Sequence, residues 1–234
     1  MATIVDINLE ARALVDADST SMPDAMLLRR INQAYEKWVG KIIALDTNWL
    51  FGDSNYTSLP TGLSNLTAGT QAYQFTSSWL TVQSVKVLDV NSNWTELKRI
   101  DLKDIQPIEE YQATNGLPAE YAVREDFILL FPAPAAANVT TTNGLQVVYQ
   151  RTADVFTAAQ VVTGTKTPGF ASPFHYLLSY EAALPYALSY KQDRVGLIET
   201  KIQQVGKDLL DFYSKRDKDT NRKRSLTCGF INFR

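Results

Sequence analysis

Apolar residues recur at intervals of three and four near both ends of the chain, but not in the stretch between them. In the first such segment they share one helical stripe, which predicts a helix over residues 24–45. Ser21 is suited to cap this helix and Pro23 to its first turn. "NLEARALV", before it, is expected to add a short helix. The stripe consists of Leu27, Leu28, Ile31, Ala34, Tyr35, Trp38, Val39, Ile42 and Ile43.

The second helical segment begins at Ser172 and Pro173, which fit an N-cap and a first-turn residue. Pro185 is expected to kink or break the helix. Beyond it, apolar residues are spaced 3, 4, 3, 4 and 3, a heptad-like seam that needs a helical partner. That partner is either the first long helix of the same chain or a neighbouring copy. The seam consists of Val195, Ile198, Ile202, Val205, Leu209 and Phe212.

Between the helical segments, Gly, Ser, Thr, Asn and Pro separate short β-prone runs. The predicted strands are "QAYQF", "LTVQSVKVLDV", "WTELKRI", "AEYAVR", "DFILLF" and "LQVVYQR". They predict a small antiparallel sandwich or barrel, with a helical turn or two in "DLKDIQPIEEYQ". The stretch "GLPAEYAVREDFILLFPAPAA" predicts a β-hairpin, in which "RED" supplies the turn. Pro118 and Pro132 end its strands, where a missing N–H is tolerated.

These patterns predict an α+β fold: a helical bundle with an inserted small antiparallel β domain and an extended C-terminal arm. The N-terminal long helix and the C-terminal helices together form the bundle. The expected boundaries are residues 1–47 for the N-terminal helical part, 48–168 for the β domain, 169–216 for the C-terminal helices, and 217–234 for a flexible linker and docking arm.

The last residues change character twice. "SKRDKDTNRKR" holds six basic and two acidic residues, and "SLTCGFINFR" then closes the chain with apolar and aromatic side chains. A frayed tail is one interpretation. The other is an arm that docks on a partner, by strand addition or by side chains alone. The docking candidates are Leu226, Phe230, Ile231, Phe233 and Arg234.

The composition of the chain argues against several classes of protein. A hydrophobic fraction of 45% in 234 residues is sufficient for a hydrophobic core. A net charge of −2 gives no indication of a general affinity for nucleic acid or acidic lipid. The lone Cys228 allows no intrachain disulfide and favours a reducing compartment. No signal peptide or membrane-spanning run is visible, so we expect synthesis in the cytoplasm. The Asn-x-Thr sites at Asn55, Asn65, Asn93 and Asn138 are interpreted as loops.

The chain offers little for catalysis. His175 is the only histidine, and its apolar neighbours favour a structural role. The carboxylates of Asp101, Asp104, Glu109 and Glu110 are typical of a solvated face. "TGTKTPG" lacks the spacing of a phosphate-binding loop. We therefore expect no enzyme, no cofactor and no metal.

The order of several local strings resembles the phage head-to-tail connector proteins, also called adaptor or head-completion proteins. The strings are "INQAYEKWVGKI", "TNWLF", "TAGTQAYQFTSSWLTVQSVKVLDV", "LKRIDLKDI" and "SPFHYLLSYEAALPYALSY". The most telling piece matches a Gly-x-Pro to Pro-x-Pro pattern in the hairpin stretch. Together they cover roughly residues 25–215. The matched hairpin residues are Gly116, Pro118, Tyr121, Ile128, Leu130, Pro132 and Pro134.

The resemblance implies a structural virion protein at the neck between capsid and tail, assembled in the host cytoplasm. Twelve copies would form a ring below the portal protein, and this ring would extend the DNA channel and offer an attachment site for tail or nozzle proteins. Packaged DNA would pass through the ring without sequence-specific contacts. No membrane is expected as a partner. The C-terminal arm would grip the portal.

Two other hypotheses stay open at this point. A carbohydrate-binding β module of a phage appendage would use Trp79 and Trp94 to stack on sugars. A small hydrolase would have to use Asp101, Glu109 or His175, although no matched nucleophile, base and oxyanion donor is visible.

Overall fold

The computed structural model describes residues 1–45, 54–56, 58–75, 79–104 and 114–226, with side chains described except at 79, 80, 104 and 216–226. The chain forms two compact units. One combines residues 1–57 with 152–234, and the other comprises residues 58–151. In sequence, the second unit is therefore inserted into the first. Residues 152–168 belong to the first unit and supply Phe156 and Val161 to its core.

The first unit is helical. Its helices in the described ranges are α1 (Ile4–Leu14), α2 (Asp24–Leu45), α3 (Ala158–Thr163), α4 (Leu177–Tyr190) and α5 (Gln192–Leu226). A 3₁₀ turn, Ser172–Phe174, precedes α4. The short N-terminal helix and the long helix over 24–45 were both predicted, and both predictions are confirmed.

The residues at the ends of α1 and α2 show which of the expected capping interactions form. Thr3 and Asp6 form a capping box at the start of α1, with the Asp6 carboxylate 2.8 Å from the Thr3 backbone nitrogen. Ser21 does not cap α2. Its hydroxyl donates to Asp18 Oδ1 at 2.7 Å and closes the turn before the helix. Pro23 stands directly before α2, and its carbonyl accepts from the backbone N–H groups of Met26 and Leu27.

Of the kink or break predicted at Pro185, the break does not occur, because helix α4 continues through this residue. A proline removes one backbone hydrogen bond from the helix. Here Pro185 is exposed, while Ala183 and Ala187 on the opposite side of the helix are fully buried, as is Ala182. Packing of these alanines holds the helix on both sides of the proline.

One apolar core is shared by all five helices of this unit. The predicted stripe of α2 supplies its buried residues Leu27, Ile31, Ala34, Tyr35, Trp38, Val39, Ile42 and Ile43. Five of the six residues of the predicted seam of α5 lie on the same core, while Phe212 is exposed. Ile198 and Leu209 are buried, while Val195, Ile202 and Val205 pack against the core from partly buried positions. The helical partners of the seam, α2 and α4, thus come from the same chain.

The second unit is built of β-strands. Their bounds are β1 (Thr61–Ser64), β2 (Ala72–Gln74), β3 (Trp79–Leu88), β4 (Trp94–Glu96), β5 (Lys98–Arg99), β6 (Asn115–Gly116), β7 (Glu120–Arg124), β8 (Phe127–Phe131), β9 (Ala133–Pro134) and β10 (Leu145–Arg151). One sheet has the order β1-β10-β3-β4, a second β2-β8-β7-β5, and β6 pairs with β9.

The two four-stranded sheets share a core, to which Val85 and Val147 come from one sheet and Ile128 and Leu130 from the other. The predicted antiparallel pairing holds for most strand pairs, while β5 pairs with β7 and β6 with β9 in parallel. The predicted strand "WTELKRI" is divided between the sheets at Leu97. Leu97 is buried, and its N–H donates to the Val85 carbonyl at 2.9 Å.

The predicted hairpin within residues 116–136 is confirmed. Strands β7 and β8 pair antiparallel, with Tyr121 opposite Leu130 and Arg124 opposite Phe127. Glu125 and Asp126 form the two-residue turn, and Glu125 has a positive φ of 53°. Tyr121, Ile128 and Leu130 face the core of the unit, so the hairpin is a structural part of it.

Candidate assembly surfaces

Helix α5 approaches α2 at Gly206. A Cβ atom on Gly206 would lie 2.3 Å from Cη2 of Trp38, a distance at which only glycine fits without movement. The buried Trp38 indole therefore lies directly on the α5 backbone. This contact positions the middle of the helix whose C-terminal end carries the predicted arm.

A charged cluster joins the same tryptophan to α4. The Trp38 indole N–H donates to Glu181 Oε1 at 3.1 Å, and Lys37 Nζ lies 2.7 Å from the same oxygen. Lys41 Nζ lies 4.2 Å from the centre of the Trp38 ring, within the range of a cation–π interaction. Helices α2, α4 and α5 are thus linked through one side chain.

Two arginines connect α1 to its neighbours. Arg12 donates to the Met22 carbonyl and, at 2.6 Å, to Asp24, which holds α1 against the start of α2. Arg194 donates to the Leu14 carbonyl at 3.0 Å and to Asp16 at 2.5 Å, which holds the end of α1 against the start of α5. No sequence pattern singled out either arginine, because their partners lie at helix ends and in the turns beside them, which meet only in the tertiary fold.

His175 is buried within the helical unit, with 1% of its surface exposed. Its Nε2 lies 2.9 Å from the Phe170 carbonyl oxygen and its Nδ1 3.1 Å from the Ala2 carbonyl oxygen. Burial lowers the pKa of His175, while the two carbonyls act in the opposite direction. The ring joins the N-terminal segment to the turn before α4, and in its neutral form it can donate to one of these two carbonyl oxygens.

The loop "TGTKTPG" is tied down by its lysine. Lys166 Nζ lies 2.8 Å from Asp154 Oδ2 and donates to the Val155 carbonyl at 2.9 Å. The Lys166 carbonyl in turn accepts from the Ile4 N–H. The ammonium group that would face a phosphate is thus engaged by neighbouring residues of the unit.

The residues considered for sugar stacking and hydrolysis are scattered. Trp94 lies on the edge strand β4 with 42% of its surface exposed, and Trp79 opens β3. The Asp101 carboxylate accepts from the Lys103 N–H at 3.1 Å. Asp104 ends a 3₁₀ turn, and Glu109 and Glu110 lie outside the described residues.

The described part of the chain shows neither a metal-binding cluster nor a membrane-spanning helix. Within residues 1–45, 54–56, 58–75, 79–104 and 114–226, no three His, Cys, Asp or Glu side chains are grouped so that they could hold a metal ion. No helix in these ranges combines the length and the apolar character that a membrane crossing requires.

The β unit carries a groove of about 670 Å³ beside the hairpin. The residues that line it include the apolar Phe127, Leu129 and Phe131, together with Arg124. The side-chain nitrogen of Gln71, in the same lining, is buried and makes no hydrogen bond. The lining includes one acidic residue, Glu125, but no nucleophile paired with a base.

The predicted arm begins on a helix. The structure continues α5 to Leu226, so the described part of the segment 217–234, expected as a flexible linker and docking arm, has helical backbone. Asp219 stands four residues from both Lys215 and Lys223, a spacing that favours opposite-charge pairs on a helix and that could have indicated this extension. The other docking candidates, Phe230, Ile231, Phe233 and Arg234, lie outside the described residues.

The model of the SU10 adaptor protein family matches residues 2–224, nearly the whole chain. The chain belongs to the SU10 adaptor protein family. This is a family of phage head–tail adaptors, and it confirms the resemblance drawn from the ordered strings. The SU10-family adaptor is accordingly a structural component of a phage particle, with a mixed α+β fold. No curated protein matches the chain significantly.

Proposed function

We propose that this SU10-family adaptor forms a ring of twelve copies below the portal of a DNA-filled capsid. The ring extends the DNA channel at the neck of the virion and offers the attachment site for tail or nozzle proteins. Assembly takes place in the host cytoplasm, and the protein has no enzymatic role. The single observation that carries this proposal is the match of the adaptor family over residues 2–224.

The helical unit is interpreted as a bundle that serves as a rigid base. Its seam residues Val195, Ile198, Ile202, Val205 and Leu209 lie on the core of their own chain. We therefore assign the seam to the interior of each copy and not to contacts between copies. Contacts around the ring would then use other surfaces, which leaves α5 free to present its C-terminal end.

The arm is proposed to grip the portal through Leu226, Phe230, Ile231, Phe233 and Arg234. Helix α5 has 35 residues, which corresponds to a length of about 50 Å at 1.5 Å per residue. Ile198, Leu209 and Tyr213 anchor the part of α5 up to residue 213 in the core. A long helix anchored at one end is well suited to carry a short apolar segment to a partner.

The test uses full-length protein with Phe230, Ile231 and Phe233 replaced by serine, compared with the matched variant Asn232→Ser. We expect the triple variant to lose attachment to purified portals, while its circular dichroism and melting temperature stay unchanged. Negative-stain images of wild-type protein with portals should show collars, and those of the triple variant bare portals. Normal attachment of the triple variant would show that the arm assignment is wrong. Absence of wild-type collars would contradict the adaptor proposal itself.

A further inference from the structure

Positive charge is concentrated at the end of α5. The basic segment, residues 215–224, holds six basic and two acidic residues and thus a net charge of +4. Because the whole chain has a net charge of −2, the remaining residues carry −6. The modest overall charge therefore hides a cationic segment on an otherwise acidic protein.

The basic segment contains no apolar residue over ten consecutive positions, "KRDKDTNRKR". Its backbone is helical, continuous with the part of α5 that packs on the core up to Tyr213. A helix without an apolar stripe has nothing to bury against a core. Protein–protein interfaces likewise depend on apolar and aromatic residues at their centre, and this segment offers none.

The helical backbone orders the basic positions. Lys215, Lys218 and Arg222 are separated by three and four residues, so their positions lie along one stripe of the helix. The stripe spans about 10 Å of helix axis. Arg216 and Lys223, seven residues apart, share a neighbouring stripe, with Asp219 between the two. Five of the six basic positions thus fall on adjacent stripes of α5.

We propose that the basic segment contacts the sugar-phosphate backbone of the DNA that passes through the adaptor ring. This inference rests on the proposed function, because it needs DNA to pass the end of α5. Binding to a polyanion through charge alone needs no apolar anchor, and the released counterions supply the free energy. The acidic remainder of the chain repels DNA, which confines the contact to this segment.

A charge-only contact also suits moving DNA. Contacts to phosphate carry no sequence information, and proteins held by them slide along the duplex. The apolar residues beyond the segment, Phe230, Ile231 and Phe233, have the opposite character and remain assigned to the portal. The end of the chain is thus divided into a part that binds phosphate and a part that binds protein.

The experiment measures binding of the full-length chain to a fluorescent duplex of random sequence, by anisotropy, between 20 and about 200 mM salt. The test variant combines Lys218→Gln, Arg222→Gln, Lys223→Gln and Arg224→Gln. The control combines Lys86→Gln, Lys98→Gln, Lys103→Gln and Arg124→Gln in the β unit, which changes the net charge equally. Circular dichroism checks that both variants keep the wild-type helix content, and portal attachment is measured for all three proteins.

Wild-type protein should bind with a log–log salt dependence of about −3 to −5, since each phosphate contact contributes about −0.9. The test variant should bind at least about tenfold more weakly, with a shallower slope, while the control stays within about threefold of wild type. Equal losses in the two variants, or no salt-dependent binding by wild type, would overturn the proposal. A test variant that binds DNA normally but fails to attach to portals would also overturn it, and would assign the segment to an acidic protein surface. In each of these cases, attachment of wild-type protein to portals leaves the adaptor proposal standing.

Discussion

The imidazole of His175 lies between two backbone carbonyls in a core where only 1% of its surface reaches solvent. Burial lowers its pKa below the value of about 6.5 expected in the unfolded chain. Above pH 6.5 the ring is neutral in both states, so titration makes no difference to stability. As the pH falls below 6.5, the unfolded chain takes up the proton first, and the folded state loses stability until its own pKa is reached.

We therefore predict that the melting temperature of wild-type protein falls more between pH 7 and pH 5 than that of His175→Gln, which cannot titrate. The variant is expected to be less stable at pH 7, because it does not reproduce both contacts to carbonyl oxygens. The informative quantity is the difference between the two melting curves as a function of pH. A constant difference over this range would show that the pKa of His175 is not lowered by folding.

At the scale of elements, the packing of α5 on α2 depends on the absence of a side chain at Gly206. We predict that Gly206→Ala lowers the free energy of unfolding by about 1–3 kcal/mol, because the new methyl group overlaps the buried Trp38 ring. Urea unfolding followed by circular dichroism measures this loss.

The matched control is Gly196→Ala in the same helix. A Cβ atom at Gly196 meets nothing within 4 Å, so only helix propensity changes. We expect this variant to gain about 0.5–1 kcal/mol. If both variants were stabilised to the same extent, α5 would not lie as close to α2 as the Gly206–Trp38 contact requires.

The two long helices, the helix after Pro173 and most strands could be predicted because their signals are local, whereas the short helix α3 was not predicted. The stripe of α2 and the seam of α5 are encoded by spacing alone, and the β7–β8 hairpin by its turn and flanking prolines. The division of "WTELKRI" between two sheets was not predictable, since it depends on Leu97 finding a core made by distant strands. Gly206 gave no signal for the same reason: its partner, Trp38, is 168 positions away in the sequence.

The candidate site was likewise predictable from the sequence only in part. The charged segment and the apolar tip are visible in the sequence as composition, and the family match covers the chain up to residue 224. The continuation of α5 to Leu226 was missed, because a run of charged residues was interpreted as a linker although its i, i+4 charge pairs favour a helix.

For the whole molecule, the junction between the two units determines how separable they are. On the helical side, the Tyr56 hydroxyl donates to the Thr152 carbonyl at 3.0 Å, so the two chain segments that leave this unit are adjacent. On the β side, Arg151 donates to the Ser58 hydroxyl at 3.3 Å, and Thr61 pairs with Val148. Each unit therefore has its entry and exit close together, as expected of an insertion that folds on its own core.

We predict that replacing residues 58–151 by a short Gly-Ser linker leaves a helical protein that unfolds cooperatively. A short linker suffices because the ends to be joined are already close, and closing such a short loop costs little entropy. The excised residues 58–151 should give the circular dichroism spectrum of a β protein and a dispersed amide spectrum by NMR, because their core is formed by strands of this unit alone. A non-cooperative helical remnant, or an excised segment without amide dispersion, would show that the two cores depend on each other. Cooperative unfolding of both would establish the helical unit as the independent base from which α5 extends toward its partners.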